Sequence, residues 1–180
     1  KPGEKVMLNS PVYENIWRWI SEVHATTVDT PLSEDNLSYK LDLAAIEKEY
    51  QNGVKVHILC HPHNPVGAIF SKDQLSDLAD LAKKYQVVIL SDEIHAPLTY
   101  DAKTFTPFLN VSQNAKEVGI AITSASKSFN LAGLKCAFII TDSIKLQERI
   151  NLMPPAVTWR ASLFGAVAST AAYAESVDWL

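Results

Sequence analysis

The chain has little cysteine, no excess of positive charge and no long hydrophobic run. Its 180 residues include two cysteines. Both lie in or beside apolar stretches, as is typical of buried thiols in a reducing compartment. The net charge is −4 with both signs interspersed, so neither a nucleic acid nor an anionic membrane is an expected partner. The N-terminus lacks a signal-peptide core, and no apolar stretch could span a bilayer. We therefore expect a cytoplasmic globular protein.

The chain does contain a regular alternation of short apolar stretches with amphipathic ones. The short stretches are β-branched and almost continuously apolar, which predicts strands buried on both faces of a parallel sheet. The predicted strands are residues 5–9, 25–28, 54–60, 87–91, 119–123 and 136–141, and the predicted helices are residues 12–23, 42–51, 71–85, 143–151 and 161–176. This order predicts an α/β fold with a mostly parallel sheet and flanking helices.

Polar residues follow three of the predicted buried strands. They are Asn64, Asp92 and Lys127. Ligands of open α/β sheets bind just beyond the carboxyl ends of the strands, so an amide, a carboxylate and an amine would converge on one crevice. Pyridoxal phosphate chemistry requires a lysine that forms a Schiff base and an acid that pairs with the pyridinium nitrogen. Lys127 is therefore the candidate catalytic residue.

Other interpretations of these segments lack their partner motifs. Ser124 and Lys127 satisfy S-x-x-K of serine acyl-enzymes, but S-D-N and K-T-G are absent from the sequence. Asp92 followed by Glu93 resembles the acidic strand end of a P-loop ATPase, but G-x-x-x-x-G-K-[ST] is absent too. A metal interpretation rests on Cys60, His57, His61 and His63. No second ligand pair of matching spacing exists, so zinc is not expected.

Further candidate cofactor ligands lie near the same strand ends. Pro65 follows Asn64 and would fix the direction of its amide, although the pair also suits an ordinary turn. Ser124 and Ser126 supply hydroxyls for a phosphate.

Two ring side chains have alternative interpretations. His95 could exchange a hydrogen bond with the cofactor's phenolic oxygen, although a lone histidine is more often structural. Tyr13 could stack on a flat cofactor or be a core aromatic residue at a helix start.

Together these segments resemble the fold-type I pyridoxal phosphate enzymes of the aminotransferase class I/II superfamily. The stretch from Ser124 to Ala137 follows the lysine signature of that superfamily. Three phrases resemble the cystathionine β-lyase-type (MalY/PatB-like) C–S lyases, namely CHPHNPVG at 60–67, SDEIH at 91–95 and SKSFNLAGLK at 126–135. The resemblance covers essentially the whole chain.

The resemblance implies a role for each candidate. Lys127 would hold the cofactor as a Schiff base and then move the Cα proton of the substrate. Asp92 would pair with the pyridinium nitrogen, Asn64 would hydrogen-bond the ring oxygen, and Tyr13 would stack on the ring. His95 stands where aminotransferases usually have Tyr.

The phosphate would be contacted by Ser124, Ser126 and Lys135, the last of which replaces the Arg of the signature. Lys can neutralise a phosphate but lacks the bidentate fork of Arg. A cis bond between Asn64 and Pro65 is also expected.

The resemblance also implies a chain that is the middle portion of a longer polypeptide. The family's phosphate-binding helix would precede Lys1 and its carboxylate-binding Arg would lie beyond Leu180, with Arg160 not expected to replace it. Residues 1–155 would belong to the large, cofactor-binding domain, and residues 156–180 would form a helix that leads toward the C-terminal small domain. Enzymes of this kind build their sites across a dimer, so a homodimer is expected.

The expected reaction is α,β-elimination from an L-amino acid with a sulfur leaving group at Cβ, such as cystathionine. His95 favours this lyase-like subgroup. Transfer of the amino group to a 2-oxo acid begins with the same deprotonation and is the alternative. A cofactor-free binding module that retained the fold is a hypothesis of another class.

Overall fold

The computed structural model describes residues 1–36, 38–100 and 105–180. In chain order the strands are β1 (Lys5–Leu8), β2 (Thr26–Asp29), β3 (Ser33–Asp35), β4 (Ser38–Lys40), β5 (Val54–Cys60), β6 (Val88–Asp92), β7 (Gly119–Thr123) and β8 (Phe138–Ile140). Within the described residues, six of them form a sheet in the order β2-β1-β5-β6-β7-β8, and β3 pairs with β4 as a separate hairpin. Neighbours in the larger sheet are parallel except β8, which is antiparallel to β7. The prediction of a mostly parallel α/β sheet is confirmed.

Helices connect most of these strands. They are α1 (Glu14–Glu22), α2 (Leu43–Gln51), α3 (Lys72–Tyr85), α4 (Gln113–Val118), α5 (Ile144–Ile150), α6 (Pro155–Thr158) and α7 (Leu163–Glu175). A capping box begins α3, because Ser71 Oγ accepts from the backbone N–H of Gln74 and the Gln74 side chain accepts from the backbone N–H of Ser71. Gln86 ends this helix in the left-handed conformation.

Three elements are absent from the sequence prediction, namely the β3–β4 hairpin, α4 and the four-residue α6. The β3–β4 hairpin was not predicted because its short strands are polar and largely exposed and show no apolar alternation. Helix α4 has six residues, too few to show a helical period. Ser112 caps α4 by accepting from the backbone N–H of Ala115.

Helices cover both faces of the sheet. Helices α2, α3 and α4 bury their apolar sides on one face, in a cluster that includes Met7, Ile46, Leu59, Leu78, Ile89, Ala115 and Ala121. On the opposite face, Ile16 and Ile20 of α1 pack against Leu8 and Cys60. Residues 7 and 8 thus point to opposite sides of the sheet, as the two-residue period of a strand requires. The sheet is thus packed between two layers of helices.

A chain of buried polar groups runs beneath the carboxyl edge of the sheet. Asn9 Nδ2 donates to the Thr30 carbonyl at 3.0 Å. Since a carbonyl only accepts, the Asn9 oxygen must face His57 Nε2, 2.7 Å away, and that nitrogen must carry the proton. His57 Nδ1 then accepts from the hydroxyl of Tyr50, also at 2.7 Å. This chain requires a neutral His57, and burial lowers its pKa to about 3.

We expect the stability of the protein to fall with acidification because of His57. Its pKa lies below the ordinary value of about 6.5, so the contribution is complete above pH 6.5 and is lost as the pH falls toward 3. The single group should cost roughly 2 kcal/mol of unfolding free energy between pH 7 and pH 5. Urea titration of the complete protein at each pH measures this. His57→Gln should reduce that pH dependence, whereas His24→Gln, on the surface, should retain it. An equal slope in all three proteins would contradict the expectation.

Helix α7 packs closely behind the segment that follows β7. A Cβ at Gly165 would lie 2.5 Å from the Leu134 carbonyl oxygen and 2.9 Å from the Cys136 Cβ. Only a residue without a side chain permits this approach.

The division of the chain into two domains at residue 155 stays a prediction. In the part of the chain described, no helix combines the length and apolar character needed to cross a membrane.

Candidate active site

The three central strands end at the same level of the sheet. Cys60 is paired with Asp92, and Asp92 with Ile122. Hydrogen bonds continue past the pairs, since the backbone N–H of His61 donates to the Asp92 carbonyl at 2.9 Å and that of Glu93 donates to the Ile122 carbonyl at 2.8 Å. The loops that carry Asn64 and Lys127 therefore begin beside Asp92, at the edge where parallel sheets bind ligands.

Asp92 is half-buried at this edge. Its Oδ1 accepts from the backbone N–H of Ile94 at 3.2 Å. Burial raises the pKa of Asp92, while the Ile94 N–H and the nearby charges of His95 and Lys127 oppose the increase. Burial lowers the pKa of His95, because it disfavours the charged ring. The charge of Asp92 raises this pKa, and the charge of Lys127 lowers it further. The charge of Lys127 therefore lies close enough to act on both Asp92 and His95.

The loop after β7 presents Lys127 to solvent. Ser124, which is 2% exposed, anchors this loop by donating from Oγ to the Cys136 carbonyl at 2.6 Å and accepting from the backbone N–H of Ser126 at 3.1 Å. Ser126 Oγ lies 2.7 Å from Ser124 Oγ and is only partly buried. The Ser124 hydroxyl is therefore engaged within the protein, unlike the accessible nucleophile that a serine acyl-enzyme needs. Phosphate contacts by the two serines stay a prediction.

Tyr13 and Asn64 are joined across two loops. The backbone N–H of Tyr13 donates to the Asn64 carbonyl at 3.0 Å. The Tyr13 ring is 41% exposed, with its edge toward Trp19 at a centroid distance of 6.3 Å, so it is not a core aromatic. The peptide bond between Asn64 and Pro65 is cis, as expected. A backbone hydrogen bond therefore joins the residue with the exposed ring to Asn64 at the carboxyl edge.

Lys135 is exposed and follows a 3-10 turn, Ala132–Leu134, with a left-handed backbone at φ 53°. It immediately precedes Cys136, whose carbonyl anchors Ser124. Its contact with a phosphate stays a prediction.

The polar groups at this edge are largely uncommitted. Among the described residues, the side chains of Asn64, His95 and Lys127 have no hydrogen bond or ion pair, and Asp92 accepts only from its own turn. An acid partly removed from water, with one oxygen still available, fits a cationic ring nitrogen. An amide donor, an amine and an exposed aromatic ring fit the remaining parts of pyridoxal phosphate. The residues present therefore fit this cofactor.

The histidines of the metal hypothesis have other surroundings. His61 stacks between the rings of Phe70 and Phe105, at centroid distances of 5.7 and 4.8 Å. His57 belongs to the buried polar chain, and the His63 ring nitrogens face backbone carbonyls. Across residues 1–36, 38–100 and 105–180, no group of three or more His, Cys, Asp or Glu could hold a metal ion.

Sequence reasoning assigned no supporting role to Glu93. This residue is 6% exposed and accepts from the Ser91 hydroxyl at 2.9 Å and from the Phe108 N–H at 2.8 Å. It thereby fixes the far end of the long loop that begins with His95. The alternation of side chains along a strand could have indicated this role, because it directs Glu93 away from the sheet face toward which Asp92 points.

Comparison with known proteins identifies the family. The family model for aminotransferase class I and II matches residues 1–178. The chain belongs to this family. The resemblance seen in the lysine signature is therefore confirmed.

Relatives in the family include named lyases. Cystathionine beta-lyase of Corynebacterium glutamicum is 33% identical over 180 residues, covering 100% of this chain and 47% of the relative. Cystathionine beta-lyase PatB of Bacillus subtilis is 30% identical over 182 residues, with the same two coverages. Similarity to the C–S lyase subgroup is thus confirmed, and the chain spans about half the length of these relatives.

A solved structure in the family agrees with the fold. Cystalysin from Treponema denticola, which contains a pyridoxal 5'-phosphate cofactor, matches with a TM-score of 0.89 and 28% identity. The match covers 99% of this chain and 46% of that structure. The expected aminotransferase-like fold is confirmed, and the chain covers less than half of that structure.

Proposed function

We propose that the complete protein is a pyridoxal phosphate-dependent C–S β-lyase. Its substrate would be L-cystathionine or a related amino acid with sulfur at Cβ. The observation that carries the proposal is that Asp92 ends β6 at the carboxyl edge of the sheet, with the charges of His95 and Lys127 near enough to lower its pKa. Named cystathionine beta-lyases that match along the whole chain support the substrate class.

Each candidate residue would have its own role in such a site. When bound, pyridoxal phosphate supplies an electron sink conjugated to the substrate's Cα. Lys127 would hold the cofactor covalently, then accept the Cα proton through its free amine. Asp92 would keep a positive charge on the ring nitrogen, and Asn64 would donate to the ring oxygen. The exposed Tyr13 ring would cover one face of the cofactor and exclude water there.

The overall reaction breaks the Cβ–S bond. The electrons of the Cα–H bond form the second bond of a Cα=Cβ double bond as the sulfur departs with its bonding pair. Addition of water and loss of ammonia then give pyruvate. Substrate and one water thus become a thiol, pyruvate and ammonia, and no external oxidant is needed.

Transamination is the second candidate, because the matched family is described as aminotransferase class I and II. The complete protein should release pyruvate from cystathionine without any 2-oxo acid. Lactate dehydrogenase coupling measures that release. Strict dependence on an added 2-oxo acid would refute the lyase proposal and favour transamination.

We also propose that the complete protein works as a cytoplasmic homodimer. The two cysteines are buried and unpaired, which suits a reducing compartment. The exposed positions of Tyr13 and Lys127 leave room for a second subunit to contribute to the site. Sedimentation velocity of the complete protein tests the dimer.

A further inference from the structure

His63 connects two loops of the candidate site. Its ring is buried, with Nε2 2.9 Å from the carbonyl oxygen of Pro11 and Nδ1 3.1 Å from that of Cys60. Its backbone is fixed as well, because its N–H donates to the Ala68 carbonyl at 2.8 Å and its carbonyl accepts from the Gly67 N–H at 2.7 Å. The ring therefore extends from a rigid turn after β5 to the loop after β1.

The partners of the ring determine what it can do. Both are carbonyl oxygens, which only accept, and a neutral imidazole has a single N–H. Burial lowers the pKa of His63 and so favours the neutral ring. The neighbouring backbone carbonyls have the opposite, smaller effect. We assign its proton to Nε2, on the shorter contact, so that His63 donates to Pro11.

This hydrogen bond is one of two bridges between the same loops. Pro11 lies two residues before Tyr13, and His63 immediately precedes Asn64. The second bridge is the donation from the Tyr13 N–H to the Asn64 carbonyl at 3.0 Å. A single hydrogen bond would allow the loops to rotate about it, whereas two bonds a few residues apart fix their relative orientation.

We propose that His63 is a positioning residue that sets the spacing between the Tyr13 ring and the Asn64 amide. These groups would contact the face and the oxygen of one cofactor ring, so a change in their spacing weakens both contacts together. The inference rests on the proposed function, because it assumes that pyridoxal phosphate occupies this edge.

Packing alone is the competing explanation. The His63 ring also packs against the Phe70 ring in a T-shaped arrangement, at a centroid distance of 5.8 Å. His63→Leu keeps apolar volume at this position but has no donor. His63→Gln places an amide N–H at similar reach and can still donate to Pro11. The two variants therefore separate hydrogen bonding from packing.

Cofactor affinity of the complete protein provides the test. Apo forms of the wild type and both variants are titrated with pyridoxal phosphate, and urea unfolding of the apo forms is measured in parallel. His63→Leu should weaken cofactor binding about tenfold, roughly the effect of one lost hydrogen bond in a buried site, and should change the visible circular dichroism of the bound cofactor. His63→Gln should bind within about threefold of the wild type and keep its spectrum.

Three results would overturn the inference. One is unchanged cofactor affinity and spectrum in His63→Leu. Another is an equal loss of affinity in both variants that parallels their loss of stability, which would indicate packing. The third is a wild-type protein that binds no pyridoxal phosphate, and only this result would also overturn the proposed function. If His63→Leu does not fold, His63→Asn, whose shorter amide falls short of Pro11, replaces it in the comparison.

Discussion

Replacing Lys127 by Ala should abolish cofactor attachment and reduce turnover of cystathionine at least about a thousandfold, because in the proposed mechanism one amine serves as both covalent anchor and base. Borohydride reduction of the wild type should fix pyridoxal phosphate to the peptide that contains Lys127, as mass spectrometry of a digest would show. In the variant that label should be absent.

The control for this experiment is another exposed lysine. Lys48 lies in the last turn of α2, which leads into the amino end of β5, on the opposite side of the sheet from its carboxyl edge. Lys48→Ala should bind the cofactor and turn over substrate like the wild type. Labelling of Lys135 in place of Lys127, or full activity in Lys127→Ala, would exclude the assigned role.

Asp92→Asn should retain the covalent label but slow removal of the Cα proton by roughly a hundredfold or more. The amide that replaces the carboxylate is similar in size but carries no charge to hold a proton on the ring nitrogen. Exchange of the substrate's Cα hydrogen in D₂O, followed by proton NMR, measures this step separately from product release.

Asp77→Asn provides the matched change on the surface of α3 and should leave the exchange rate unaltered. An Asp92→Asn protein with wild-type exchange would show that the ring nitrogen needs no anionic partner here. Loss of the label in this variant would instead indicate that Asp92 is required for cofactor retention.

The strand ends were predictable from sequence because buried parallel strands have a composition of their own. Continuous apolar stretches located β5, β6 and β7 to within about a residue, and the topology then required Asn64, Asp92 and Lys127 to share an edge. The lysine signature added the family. Each of these inferences used local pattern together with a general rule of sheet topology.

Features that depend on distant contacts were not predictable. The antiparallel direction of β8 follows from how the chain returns to the sheet, which its three exposed apolar residues do not encode. The engagement of Ser124 depends on Cys136, twelve residues further on. The bridging role of His63 depends on Pro11, 52 residues earlier in the chain, and sequence spacing suggested only a metal ligand.

The close approach of α7 at Gly165 has a mechanical consequence. The helix touches Leu134 and Cys136 without an intervening side chain, and the Cys136 carbonyl accepts from the Ser124 hydroxyl, three residues before Lys127. No gap separates α7 from this segment, so a shift of α7 toward the segment must displace the loop that carries Lys127. A rigid-body movement of α7 would thus be transmitted through Cys136 and Ser124 to the loop that carries the Lys127 amine.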